Sequence, residues 1–182
     1  MTLSALGIFS AAGAGGIVFA SDYELIETSI VSGSSTSTVT FSSLGTYSST
    51  YKHLQIRAVA SSALSNNDAR IRLNGITTSS YSHHNLVGTG SSVVSAASTS
   101  DTSINAFYLG GTAVGAAVID ILDAYSTSKN KTVRLLQGNT GSTRVALTSG
   151  AFLSTNSITS VSLLSNAGVW AAGSRFSIYG IK

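Results

Sequence analysis

Apolar and polar residues alternate with a period of two along much of this chain. Leu54, Ile56, Ala58 and Ala60 fall on one side of an extended segment and His53, Gln55 and Arg57 on the other, as expected of a strand with one face in a core. Arg70 and Arg72 alternate in the same way with Ile71 and Leu73. The pattern predicts ten strands: 23–32, 36–41, 53–60, 69–74, 105–109, 116–122, 132–137, 143–148, 157–164 and 175–181. Short strands at this spacing, separated by Ser, Thr, Gly and Asn clusters, predict an all-β fold, an antiparallel β-sandwich of two stacked sheets. Asn74-Gly75 tolerates positive φ at both positions and reads as a tight hairpin turn. Residues 113–122 are nearly continuous in apolar side chains, which suits a strand buried on both faces or a short helix.

Connections are expected at 61–68, 77–101, 125–131 and 138–142. The second is long enough to suggest a functional loop, so Tyr81, His83, His84 and Asn85 are the candidate exposed binding loop. The alternative reading places a short strand at 81–87. Tyr81, Tyr108, Tyr125 and Trp170 are candidates for a sugar-stacking face, against the ordinary role of such rings in a core or interface.

Ahead of Asp22 the pattern changes. Residues 3–20 carry no charge and contain Leu3, Leu6, Ile8, Phe9, Ile17, Val18 and Phe19. The run is long enough to cross a bilayer as a helix, but Gly7, Gly13, Gly15 and Gly16 weaken a helix and no Lys or Arg precedes it. We read residues 1–22 as an apolar, glycine-rich anchoring arm that docks on another protein, and residues 23–182 as the sandwich domain. An element of the domain's own core and a membrane or secretion segment are the other readings.

Composition narrows the function class. Of 182 residues, 35 are Ser and 20 Thr, only 9% are charged, and Pro and Cys are absent. Hydroxyl side chains can line the outward face of a sheet without charge, and the 43% apolar fraction suffices for a core. Ten basic and seven acidic residues are spread along the chain, so the excess of +3 is not a basic patch and nucleic acid is not an expected partner. A surface so poor in charge favours assembly with other chains over a free monomer.

The chemical motifs are weak. His83 and His84 are adjacent and would point to opposite faces of a strand, so they cannot share a metal from one side. Asp120 and Asp123 likewise fall on opposite faces of a strand, and Asp123 reads as a turn residue after it. The Gly-x-Ser-x-Gly nucleophile elbow does not occur, and the Gly88-Thr89-Gly90 and Gly110-Gly111 turns lack the lysine of a phosphate loop. No catalytic residue, metal or cofactor is expected.

Four segments carry a resemblance: Tyr51-Lys52-His53-Leu54-Gln55-Ile56-Arg57, Ile71-Arg72-Leu73-Asn74-Gly75, Val118-Ile119-Asp120-Ile121-Leu122-Asp123 and Arg175-Phe176-Ser177-Ile178-Tyr179-Gly180-Ile181-Lys182. In this order they resemble a group of tailed-bacteriophage virion structural or tail-fibre-like proteins, found in phages of marine and freshwater bacteria. The resemblance implies a particle component, with a jelly-roll-like sandwich and no catalytic residues. The expected function is a virion surface protein of tail-fibre or adhesin type docking through its arm. The alternative is a head decoration, or cement, protein; a glycan-degrading tail enzyme and a secreted bacterial β-protein are less favoured. Expected partners are tail or capsid subunits, further copies in a homotrimer and a host-surface glycan, with no membrane span.

Overall fold

The computed structural model describes residues 21–182 except 34, 63, 65–66, 110–112 and 142–143. The arm residues Leu3, Leu6, Ile8, Phe9, Ile17, Val18 and Phe19 lie outside the described residues. Among the described residues there are twelve strands: β1 (Tyr23–Ile30), β2 (Thr38–Phe41), β3 (His53–Ala60), β4 (Asn67–Leu73), β5 (Tyr81–Gly88), β6 (Val93–Asp101), β7 (Ile104–Leu109), β8 (Gly115–Leu122), β9 (Lys131–Asn139), β10 (Val145–Phe152), β11 (Val161–Ser165) and β12 (Arg175–Ile181). A 3-10 turn at Leu44–Tyr47 is the one helical element among the described residues.

The strands form two antiparallel sheets, one in the order β1-β12-β3-β8-β9-β10-β5-β6 and one in the order β2-β11-β4-β7. Strands β1-β12-β3-β8 and β2-β11-β4-β7 alone make the two four-stranded layers of a jelly roll, with the chain passing from one layer to the other between successive strands except from β4 to β7, which pair within the smaller sheet. Two hairpins, β5–β6 and β9–β10, are inserted into that plan and both join the first layer, widening it to eight strands.

The core between the sheets follows the alternation in the sequence. Leu54, Ile56, Ala58 and Ala60 of β3 are buried, as are Ile119 and Ile121 of β8 and Phe176 and Ile178 of β12. Facing them are Phe41, Ile71, Leu73, Ile104, Leu109, Val161 and Leu163 from the smaller sheet. Trp170 is fully buried, with its ring centroid 6.2 Å from that of Phe107 and 4.9 Å from that of Phe176.

Three expectations require correction. Residues 81–101 are a β-hairpin, not a loop, because Tyr81, His83 and Val87 alternate inward and β5 pairs with both β10 and β6. Asn74 and Gly75 do adopt positive φ, 53° and 65°, yet they do not close a hairpin: β4 and β5 lie in different sheets. The Asn74 side chain instead ties this crossover to the loop before β11. Its Oδ1 accepts from the Thr159 amide at 2.7 Å and its Nδ2 donates to the Ser157 carbonyl at 2.9 Å. Finally, β8 is buried on one face only, with Ala116 and Val118 turned outward.

The two outer faces differ in chemistry. The smaller sheet presents Thr38, Thr40, Ser162 and Arg72, with Thr40 and Ser162 hydrogen-bonded across strands at 2.9 Å. The larger sheet is aliphatic over its middle.

Candidate functional site: the outer face of the large sheet

Strand register puts Val118, Leu136, Leu147 and Leu86 side by side in one row across β8, β9, β10 and β5. They are 40%, 52%, 52% and 49% exposed, so four large aliphatic side chains meet solvent at neighbouring positions. A second row runs through Val59, Ala116, Gly138, Val145, Gly88 and Val93. The third row, on the other side, is polar: Gln55, Asp120, Arg134, Ser149 and His84. The first row, with Asp120, Arg134, Ser149 and His84 of the third, lines a groove of about 820 Å³.

The polar row is organised by its own hydrogen bonds. Gln55 Nε2 donates to Asp120 Oδ1 at 2.8 Å, and Arg57 Nε donates to Gln55 Oε1 at 3.0 Å. The Arg57 guanidinium lies 4.7 Å from the Tyr179 ring centroid and 5.9 Å from that of Tyr23, so this end of the face is closed by a cation-π stack. Arg134 sits between Asp120 and Ser149 in the register.

The four residues of the candidate loop do not act together. Tyr81 is fully buried and stacks on Phe152 at 5.0 Å. Its hydroxyl accepts from the Leu73 amide at 3.0 Å and lies 3.1 Å from the carbonyls of Leu73 and Ile76, pinning the crossover to the core. Burial pushes its phenol up from the ordinary value. His83 is also buried, with Nδ1 3.2 Å from Asp101 Oδ2. Loss of hydration lowers its pKa against the opposing pull of Asp101. Asn85 is half-buried and accepts a 2.8 Å bond from Thr148 Oγ1. Only His84 is exposed, in the polar row beside the groove.

The sugar-stacking set is dispersed as well. Tyr81 and Trp170 are in the core, Tyr125 is half-buried with its hydroxyl 2.9 Å from the Leu44 carbonyl, and Tyr108 packs under Arg144 at 4.8 Å. None of these rings lines the groove.

Elsewhere the polar residues serve the architecture. Asp123 follows β8 with φ 49° and accepts from Lys129 Nζ at 3.2 Å, while its amide donates to His53 Nδ1 at 2.8 Å. Lys131 is fully buried, and its ammonium bonds the main-chain carbonyls of Ser126, Lys129 and Thr155. Burial lowers its pKa. Among the described residues no three His, Asp or Glu side chains gather as a metal site, and no helix is long and apolar enough to cross a membrane.

Leu86, Val118, Leu136 and Leu147 were not singled out from the sequence. The available signal was the two-faced apolar character of 113–122, which reads equally as a doubly buried strand. No protein-family profile matches the chain, and no curated protein matches it.

Proposed function

We propose that this protein is a structural component of a bacteriophage particle surface, of tail-fibre or adhesin type, attached to other particle proteins through residues 1–22. The observation that carries the reading is the aliphatic row Val118-Leu136-Leu147-Leu86, open across four strands of a domain otherwise rich in hydroxyls. An apolar surface of this kind, rimmed by polar groups, marks a contact with another protein. The edge of β6 supports the same reading: nine residues, uncharged until Asp101, with one side unpaired among the described residues. Repeated copies, as in a trimer, would bury both features. In an adhesin placement the polar row from Gln55 to His84 would offer hydrogen bonds to a host-surface glycan.

The aliphatic lining of the groove favours a second placement, a head decoration protein clamping capsid subunits, because side chains without rings suit protein better than sugar. The domain acts by binding in either placement, not by catalysis. Gold-labelled antibody against residues 23–182 on purified virus particles tests the reading. Label on the tail is expected; label on the head selects the cement placement, and a chain recovered only outside particles overturns both.

A further inference from the structure

The exposed apolar surface of the domain is gathered on one face. Of the fourteen large apolar side chains exposed among the described residues, ten stand on the outer side of the large sheet, from Leu25 and Ile30 on β1 to Val93 on β6. Only Leu64, Val94, Val114 and Leu153 lie elsewhere. The face measures about 38 Å across eight strands spaced about 4.8 Å apart, and about 23 Å along seven residues. Its area, about 900 Å², is close to the roughly 800 Å² that each partner buries in a stable pairing of folded proteins. A second sheet of the same size covers it, whereas a single extended peptide covers a fraction.

Charge on the face selects how the second sheet lies. Asp120 and Arg134 stand level on neighbouring strands, β8 and β9, but they do not bond each other. Asp120 accepts from Gln55, and Arg134 is exposed, with no hydrogen bond or ion pair among the described residues. The sheet order β1-β12-β3-β8-β9-β10-β5-β6 has its middle between β8 and β9. A two-fold axis along the strands at that point lays β8 of one copy over β9 of the other and keeps each row opposite itself. Asp120 then faces Arg134 of the second copy, and the reciprocal pair forms beside it, while Val118 faces Leu136 and Val59 faces Val145. A two-fold axis across the strands would instead turn the polar row onto the row of Ala116 and Val145, burying both charges unpaired.

We propose that two copies pair through their large sheets, face to face about 10 Å apart, with Asp120 and Arg134 exchanging partners across the two-fold axis. This rests on the assembly reading above and names a second copy as the occupant of the open row. An isologous contact puts the same face on both sides, so it is made by pairs of copies and not by rings of three.

Sedimentation equilibrium of the full chain tests it, with Asp120→Arg and Arg134→Asp made singly and folding checked by circular dichroism. The unaltered chain should sediment as a dimer. Each variant alone sets like charges opposite each other twice and should raise the dissociation constant about tenfold or more. An equimolar mixture of the two variants restores both opposite pairs between unlike copies and should return close to the original constant. Thr40→Arg, on the opposite sheet, should leave the dimer unchanged.

A monomer overturns the proposal, whether residues 1–20 or a particle protein cover the face instead, and so does a trimer. Variants that dimerise as the unaltered chain does, or that stay apart on mixing, overturn the arrangement as well, as does loss of the dimer in Thr40→Arg. Particle labelling that succeeds while the chain stays monomeric leaves the assembly reading intact and removes only this pairing.

Discussion

The Tyr51 ring occupies the space that a side chain on Gly180 would need: a Cβ built there falls inside the ring's van der Waals envelope. Tyr51 is held in place by its hydroxyl, which donates to Glu24 Oε2 at 2.7 Å, while Lys182 Nζ donates to Glu24 Oε1 at 2.6 Å. The first and last strands are thereby locked to the segment leading into β3. Gly180→Ala should cost about 1–3 kcal/mol through overpacking, read as a lower denaturation midpoint with an unchanged slope. An unaltered midpoint would show that the ring moves aside freely.

The two faces of the large sheet should respond differently to the same charge. Ile56→Asp puts a carboxylate in the core without a partner and should cost about 4 kcal/mol or more. Leu136→Asp, on the open row, should stay within about 0.5 kcal/mol. Urea unfolding of the two variants in the same buffer makes the comparison, and equal losses would refute the assigned outer face.

Three tyrosines should make the fold sensitive to alkali. The hydrogen bond to Glu24, followed by burial, pushes Tyr51 up to about 12; burial, with the neighbouring phenols of Tyr47 and Tyr51 adding to it, takes Tyr125 to about 12, and burial raises Tyr81. The unfolded chain loses these protons first, near pH 10, so stability should fall between pH 10 and pH 12. Thermal melts across that window, with phenolate absorbance at 295 nm, check it. Tyr51→Phe with Tyr125→Phe should flatten the fall.

His83 works in the opposite direction. Its folded-state pKa lies below 6.5 because burial disfavours the cation, with Arg70 and His84 adding to the effect and Asp101 opposing it. The stabilisation is present above pH 6.5 and is lost as pH falls through the folded value, since the unfolded chain takes up the proton first. His83→Gln should reduce the slope of melting temperature between pH 7 and pH 5. An unchanged slope would place the acid sensitivity elsewhere.

Most of the sandwich was legible because its core strands alternate cleanly. Leu54, Ile56 and Ala58 could only be one face, and Ile71 and Leu73 another. The β5–β6 hairpin was obscured because His83 and Asn85 stand at inward positions, where an apolar residue would have marked the period, and because β6 is exposed on nearly every residue. Gln55 shows a related difficulty. It alternates with the core, yet its neighbours Arg57 and Asp120 hydrogen-bond over it and leave it buried on the outward side. The groove was the least legible feature. Register across β8, β9, β10 and β5 creates it, and a single strand cannot reveal which residues of three others stand beside its own.

The inserted hairpins give the large sheet a property that the eight-stranded plan lacks. Each enters and leaves on the same side of the sandwich, so its outward residues can be exchanged or its arms lengthened while the central packing stays as it is. Leu86, Leu136 and Leu147 all belong to these additions. Change at the contact surface is thus uncoupled from change in the interior, and related molecules could acquire new attachments one hairpin at a time.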